Sequence, residues 1–115
     1  MAISRKADAA ICVRLLEKSA GLFGLLSAPV RLHIVWLLAA GDRDVGTLAE
    51  ETGQTMATVS HHLGKLKLAG VVRARRQGRH QLYMLSNVGL VEVARLATRN
   101  GLQPARLPSG STDAG

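Results

Sequence analysis

From Thr52 to Val91 the chain has no aspartate and no glutamate, although Lys65, Lys67, Arg73, Arg75, Arg76 and Arg79 all fall within that stretch. Six of the eight acids lie before Gly53, so the formal charge of +7 is gathered in one region. Cations without acids to neutralise them imply a polyanionic partner. Phe23, Trp36 and Tyr83 are the only Phe, Trp and Tyr, too few and too scattered for the stacking platform of a single-strand binder, so duplex DNA is favoured over RNA. The single cysteine, Cys12, excludes an intrachain disulfide framework and fits a reducing compartment. No uninterrupted apolar run reaches the roughly 18 residues of a membrane span. Asp8, Arg14, Glu17 and Lys18 break up anything like a signal-peptide core after Arg5 and Lys6. The expectation is a soluble, cytoplasmic protein of one domain with a small core, without a membrane partner. A Ser, His and acid order, a phosphate loop and a zinc-hydrolase helix motif are all missing, so no enzyme is expected.

What is present centres on residues 53–80, GQTMATVSHHLGKLKLAGVVRARRQGRH. Thr55 is a favoured N-cap, because its hydroxyl can accept from the unpaired amides of a first helical turn. At 100° per residue Val59, Leu63 and Leu66 form one stripe, with Met56 and His62 on its shoulders. That stripe is the expected core side. The other side holds Ala57, Thr58, His61, Gly64 and Lys65, with Ser60 near its edge, and is short, polar and cationic. Such a face can approach base edges. Asn and Gln are absent from it, so specificity is expected to be distributed among Thr55, Met56, Ala57, Thr58, Ser60, His61 and Lys65.

Upstream, Val45, Leu48 and Ala49 follow helical spacing until Gly53, and two short helices around a glycine turn predict a helix-turn-helix. Downstream, VVRARRQ and HQLYMLS alternate apolar and polar residues about a turn at Gln77, Gly78 and Arg79. They predict a two-stranded wing whose Arg73, Arg75 and Arg79, with Arg76 at the turn and His80 beside it, neutralise phosphates. The fold class is mainly α with a small two-stranded β wing.

The segments SAPVRLHIVWLL (27–38), TLAEETGQTMATVSHHLGKLKLAGVV (47–72) and GRHQLYMLS (78–86) resemble, in order and spacing, the ArsR/SmtB family of bacterial winged-helix regulators. The resemblance covers roughly residues 10–100, and VSHHL...L..AG.V is its most specific part. It implies a homodimeric transcription regulator, by family default a repressor, that binds an imperfect palindrome in double-stranded DNA through the second helix of the motif and the wing. Two positions depart from the family pattern. Ala28 stands where a capping Asp is usual, which shifts the expected cap to Ser27. Gly64 replaces a long basic side chain, at about 1 kcal/mol of helix propensity relative to Ala.

Residues 1–7 read as a flexible arm, 8–102 as the DNA-binding and dimerisation domain, and 103–115 as a disordered Pro, Gly and Ser-rich tail. A first helix over 8–26 has Ile11, Leu15, Leu22, Leu25 and Leu26 on its apolar side. A core helix from about Pro29 to Ala40 carries Leu32, Val35, Trp36 and Leu38, with Gly41 as its C-terminal glycine. Asn87 is the expected cap of a last helix bearing Leu90, Val93, Ala94, Leu96 and Ala97. A chain this short does not readily bury both terminal helices, and association is the economical answer. The resemblance implies a dimer interface formed by the first and last helices, at Ile11, Leu15, Leu22, Leu90, Val93, Ala94 and Ala97.

Many members of that family sense a metal. A Cys-x-Cys pair on the helix before the reading helix is missing from residues 44–52, and residues 87–101 provide only Glu92 where paired Asp and His residues are expected. No metal-ligating residue is therefore assigned, and no cofactor is required for the fold. A nickel or zinc response through an atypical site, or a separate sensor protein as partner, are the alternatives. His33 is expected at the surface, His61 toward DNA, His62 in packing, and Cys12 buried and inert. Glu50 and Glu51 are expected on a solvated edge.

Overall fold

Eight elements follow one another in the computed structural model, which describes residues 5–101 and the side-chain surroundings of 12–99. They are α1 (Arg5–Leu26), α2 (Pro29–Ala40), β1 (Arg43–Asp44), α3 (Val45–Thr52), α4 (Met56–Leu68), β2 (Val72–Gln77), β3 (His80–Leu85) and α5 (Gly89–Gly101). The tail proposed for 103–115, most of the arm and the side chain of Ile11 lie outside the described residues. Helix α1 begins at Arg5, three residues before the expected start.

Helix α2 lies at the centre, against α1, α3, α4, α5 and β3. Its Ile34, Val35 and Leu38 join Leu48 of α3, Val59, Leu63 and Leu66 of α4, Val71, Val72 of β2 and Leu90 of α5 in one core. The expected stripe of α4 is thus the buried one. On α2 the expected inward residue Trp36 is 44% exposed, and Ile34 is fully buried in its place. PVRLHIVWLLAA is apolar on nearly every side, so periodicity alone cannot orient it.

The sheet has three strands, not two, in the order β1-β3-β2 and antiparallel throughout. Arg43 pairs with Tyr83 and Asp44 with Leu82. A two-residue strand is too short to show a period of two, which is why it was not expected. In the hairpin, Gln77 pairs with His80, leaving Gly78 and Arg79 as a two-residue turn. Gly78 has φ 64, while Arg79, like every other non-glycine among the described residues, does not have positive φ, which matches a type II′ turn with glycine first. Arg76 is therefore a strand residue and not part of the turn.

The helix ends differ from expectation in three places. Ser27 does not cap α2: its hydroxyl donates to the Gly24 carbonyl at 2.6 Å, and the N-cap Ala28 makes no side-chain bond. Gly41 is extended, not left-handed, and the last carbonyls of α2 are met instead by Arg43, whose guanidinium donates to Leu37 and Gly41. The same guanidinium reaches Glu51 Oε1 at 2.6 Å, so Glu51 is an ion-pair partner linking α2 to α3. At α5, Asn87 contributes its carbonyl, which accepts from Leu90 N at 3.3 Å. The end of α4 follows the Schellman pattern, in which Gly70 N donates to Lys67 O and Val71 N to Leu66 O at 2.9 Å. Gly70, at φ 77, takes the left-handed position that a Cβ would strain.

Helix α1 spans about 33 Å at 1.5 Å per residue and meets the core through Leu22, Leu25 and Leu26 near its C-terminal end. Leu15 lies on the same side, two turns before Leu22, and is exposed, while Val13, Leu16 and Phe23 form a second exposed apolar stripe. Cys12 is exposed too, contrary to expectation, because among the described residues α1 meets the core only from Leu22 onward.

Candidate nucleic-acid interface

Helix α3 is capped by Asp44, whose Oδ1 accepts from Thr47 N at 2.8 Å, and it ends at the left-handed Gly53. Two residues later Thr55 caps α4, with its hydroxyl accepting from Thr58 N at 3.1 Å. The Thr55 hydroxyl in turn donates to Thr58 Oγ1 at 2.9 Å. Thr58 is half-buried and serves the cap, with its hydroxyl proton and one lone pair left for a ligand. Met56, Ala57, Ser60, His61, Gly64 and Lys65 are exposed along one side of the helix. The side continues to Lys67 and to Leu68, which is 92% exposed and extends the face beyond the expected limit at Lys65. Lys65 and Lys67 lie in the last turn, where cations complement the negative end of the helix.

A Cβ added at Gly64 meets no atom within 4 Å, so nothing in the subunit requires glycine there. Gly64→Ala is expected to raise stability by about 1 kcal/mol in urea unfolding. A variant no more stable than wild type would contradict this open setting.

On the wing Arg73, Arg75, Arg76 and Arg79 are all exposed. Among the described residues none of the four forms an ion pair with an acid. Strand alternation puts Arg73 and Arg75 on one face and Arg76 on the other. The protrusion is therefore cationic on both sides, able to meet phosphates of two strands. His80 stands apart from the arginines: its Nδ1 lies 3.6 Å from Asp44 Oδ2. The hydrogen bonds from Thr47, foremost its backbone amide, hold the Asp44 carboxyl below the usual carboxylate range, and His80 adds to this. Asp44 thus caps α3 with one oxygen and faces the base of the wing with the other.

The paired histidines differ in burial. His61 is exposed and His62 half-buried, with their rings edge to face at 5.6 Å. Arg31 of α2 donates to His62 Nδ1 at 3.2 Å and to the Leu25 carbonyl near the end of α1. Arginine can only donate, so the His62 proton sits on Nε2. Burial first, then the charges of Arg31, His61 and Lys65, push the His62 imidazole below its ordinary value. Neither Arg31 nor Arg43 was expected to matter, since their partners are carbonyls and side chains remote in sequence. His33 is exposed. Among the described residues no three His, Cys, Asp or Glu side chains converge as a metal site requires.

Of the residues expected at a dimer interface, Leu90 and Ala94 are taken up in their own subunit, and Leu22 packs against that core. Val93 is half-buried, and Leu15 and Ala97 are exposed. Among the described residues no single helix is long and apolar enough to cross a membrane.

The sequence model for the arsR family of bacterial regulatory proteins matches residues 28–74, which run from the start of α2 into β2. The HTH-type transcriptional regulator KmtR of Mycobacterium tuberculosis is 39% identical over 66 residues, 57% of this chain. That match spans 51% of KmtR, about half its length. The homodimeric winged helix-turn-helix DNA-binding domain Mb0332 of Mycobacterium bovis, described as a possible ArsR-family regulator, superposes with TM-score 0.67 at 34% identity, over 88% of this chain and 90% of that one. The transcriptional repressor BigR of Xylella fastidiosa superposes with TM-score 0.71 at 29% identity, over 82% and 92%.

Proposed function

Because the chain belongs to the arsR family of bacterial regulatory proteins, and is a DNA-binding transcription regulator rather than an enzyme, we propose that it acts as a homodimeric repressor on a two-fold operator. The carrying observation is the juxtaposition of a capped helix exposing Ala57, Ser60, His61, Gly64 and Lys65 with a wing of four arginines that no acid among the described residues engages. Helix α4 enters the major groove and the wing lies along the flanking phosphates. Short side chains on α4 let its backbone come close, and His61 is the longest hydrogen-bonding group on the central part of the face.

Dimerisation is supported by the exposed apolar residues of the two terminal helices: Val13, Leu15, Leu16 and Phe23 on α1, and Leu96 and Ala97 on α5, which call for cover. A second copy also sets two α4 helices about 34 to 36 Å apart, one helical turn of DNA. Repression would follow from occupancy of the operator, the similar BigR being named a transcriptional repressor, and the cytoplasm, where a bacterial chromosome lies, is the compartment this reading implies.

The test is selection of binding sites from random duplex DNA, followed by footprinting. Two protected half-sites with centres about 10 to 10.5 base pairs apart are expected, together with a dimer in sedimentation at micromolar protein. His61→Ala is expected to lower affinity for the selected site at least tenfold, the effect of about 1.4 kcal/mol, while binding to unrelated DNA hardly changes. A monomer in sedimentation, or equal site affinity for wild type and variant, would count against the reading.

For the signal, the alternatives are a partner protein, another ligand, or zinc or nickel held at an atypical site. Titration with zinc or nickel decides the matter. Stoichiometric binding that alters operator affinity would assign sensing to this chain after all.

A further inference from the structure

Among the described residues the reading helix is held to the other helices by its apolar stripe and by one side-chain hydrogen bond. That bridge runs through Arg31: its Nε donates to the Leu25 carbonyl in the last turn of α1, and its Nη1 donates to His62 Nδ1 at 3.2 Å. One half-buried guanidinium thus ties together α1, α2 and α4. We infer that Arg31 is a positioning residue for DNA recognition, which sets the angle of α4 against the end of α1 through the neutral imidazole of His62. This rests on the reading of α4 as the DNA-facing helix.

The chemistry of the bridge is specific. The guanidinium is planar and offers several donors in a fixed fork, so it can serve a carbonyl and a ring nitrogen in different directions at once. A lysine ammonium is a point charge and cannot hold both in that geometry. The acceptor must be neutral, because protonated imidazole has only donors and would repel Arg31. His62 stands one position from His61, so a rotation of α4 that the bridge permits or forbids moves the reading face directly.

The charged and titratable groups facing the His62 ring are Arg31 from α2 and His61 and Lys65 from α4 itself, while α1 brings the uncharged Leu25 carbonyl to the bridge. All three side chains favour the neutral ring. Its folded value lies below the ordinary 6.5, so the bridge is intact above that pH and is lost as pH falls through the depressed value. The quantity to follow is the ratio of operator to unrelated-DNA affinity, which cancels effects common to all DNA.

In wild type, nitrogen-15 spectra of His62 at neutral pH are expected to show the Nε2-protonated tautomer, and the affinity ratio to fall as pH drops below 6.5. Arg31→Lys is expected to lower the ratio about tenfold, the effect of one hydrogen bond to a charged group, with the salt dependence of unrelated-DNA binding unchanged. His62→Asn, whose amide oxygen can replace Nδ1 as acceptor, is expected to keep the ratio and to abolish its decline in acid. Arg31→Lys that retains the wild-type ratio, or His62→Asn that shows the same acid decline, would overturn the inference. If His61→Ala also leaves operator affinity intact, the reading of α4 itself is wrong. If His61→Ala weakens the operator while Arg31→Lys does not, only the role of Arg31 falls.

Discussion

An Arg75→Ala and Arg76→Ala double variant is expected to lose affinity for operator and unrelated DNA alike, and to bind with a much flatter dependence on salt. Both side chains are exposed and no acid among the described residues pairs with them, so their charges are free for phosphates. They point to opposite faces of β2, which lets one wing engage the two strands that border it. In a dimer the double substitution removes up to four phosphate contacts, each adding about 0.9 to the slope of log affinity against log salt. The slope is expected to fall by roughly 3 to 4, and affinity at low salt by about two orders of magnitude. Anisotropy titrations across about 50 to 200 mM salt measure both. Thermal melting should not change, because neither side chain supports the core. An unaltered slope would remove the wing from the interface.

Leu63→Ala should act in the opposite way, through stability and specificity with the charge untouched. Leu63 is 1% exposed in the middle of the buried stripe of α4, and truncating such a leucine costs about 2 to 5 kcal/mol. That is a large part of the total stability of about 5 to 15 kcal/mol expected for a domain. A fall in melting temperature of about ten degrees or more follows for a domain of this size. Operator preference should weaken in the surviving folded fraction, while the salt slope set by the wing persists. A melting temperature within about two degrees of wild type would mean that the stripe does not carry the packing of α4.

The reading helix was legible in the sequence because its signals agree. Thr55 caps it, Val59, Leu63 and Leu66 recur at helical spacing, and its outer residues are small or polar. Helix α2 was legible as a helix but not in its orientation, since apolar residues surround it and Trp36 looked as suitable for the core as Ile34. The strand Arg43–Asp44 leaves no periodic trace in two residues. Its side chains nonetheless hold the motif together, Arg43 by closing α2 and pairing with Glu51, and Asp44 by capping α3 and facing His80. Arg31 was missed for the same reason, because its partners on α1 and α4 become neighbours only in the folded chain. Local patterns thus outlined the exposed face of α4 and the wing, and the tertiary bonds that position them had no local signature. On the dimer face the sequence marked α1 and α5 as having apolar surface to spare. It did not separate Leu90 and Ala94, which their own subunit uses, from the exposed Val13, Leu16 and Phe23.

The Schellman end of α4 turns directly into the wing. Val71 donates to Leu66 of the helix while its own carbonyl accepts from Ser86 at 2.8 Å, beyond the far strand. Groove-reader and clamp are therefore the two jaws of a caliper with a stiff hinge, whose gap is set by the protein. Duplexes whose groove dimensions do not match that gap must be deformed to be held, at an energy that depends on their sequence. Base pairs that no side chain touches, between the half-sites and under the wings, should then influence operator strength through their stiffness alone.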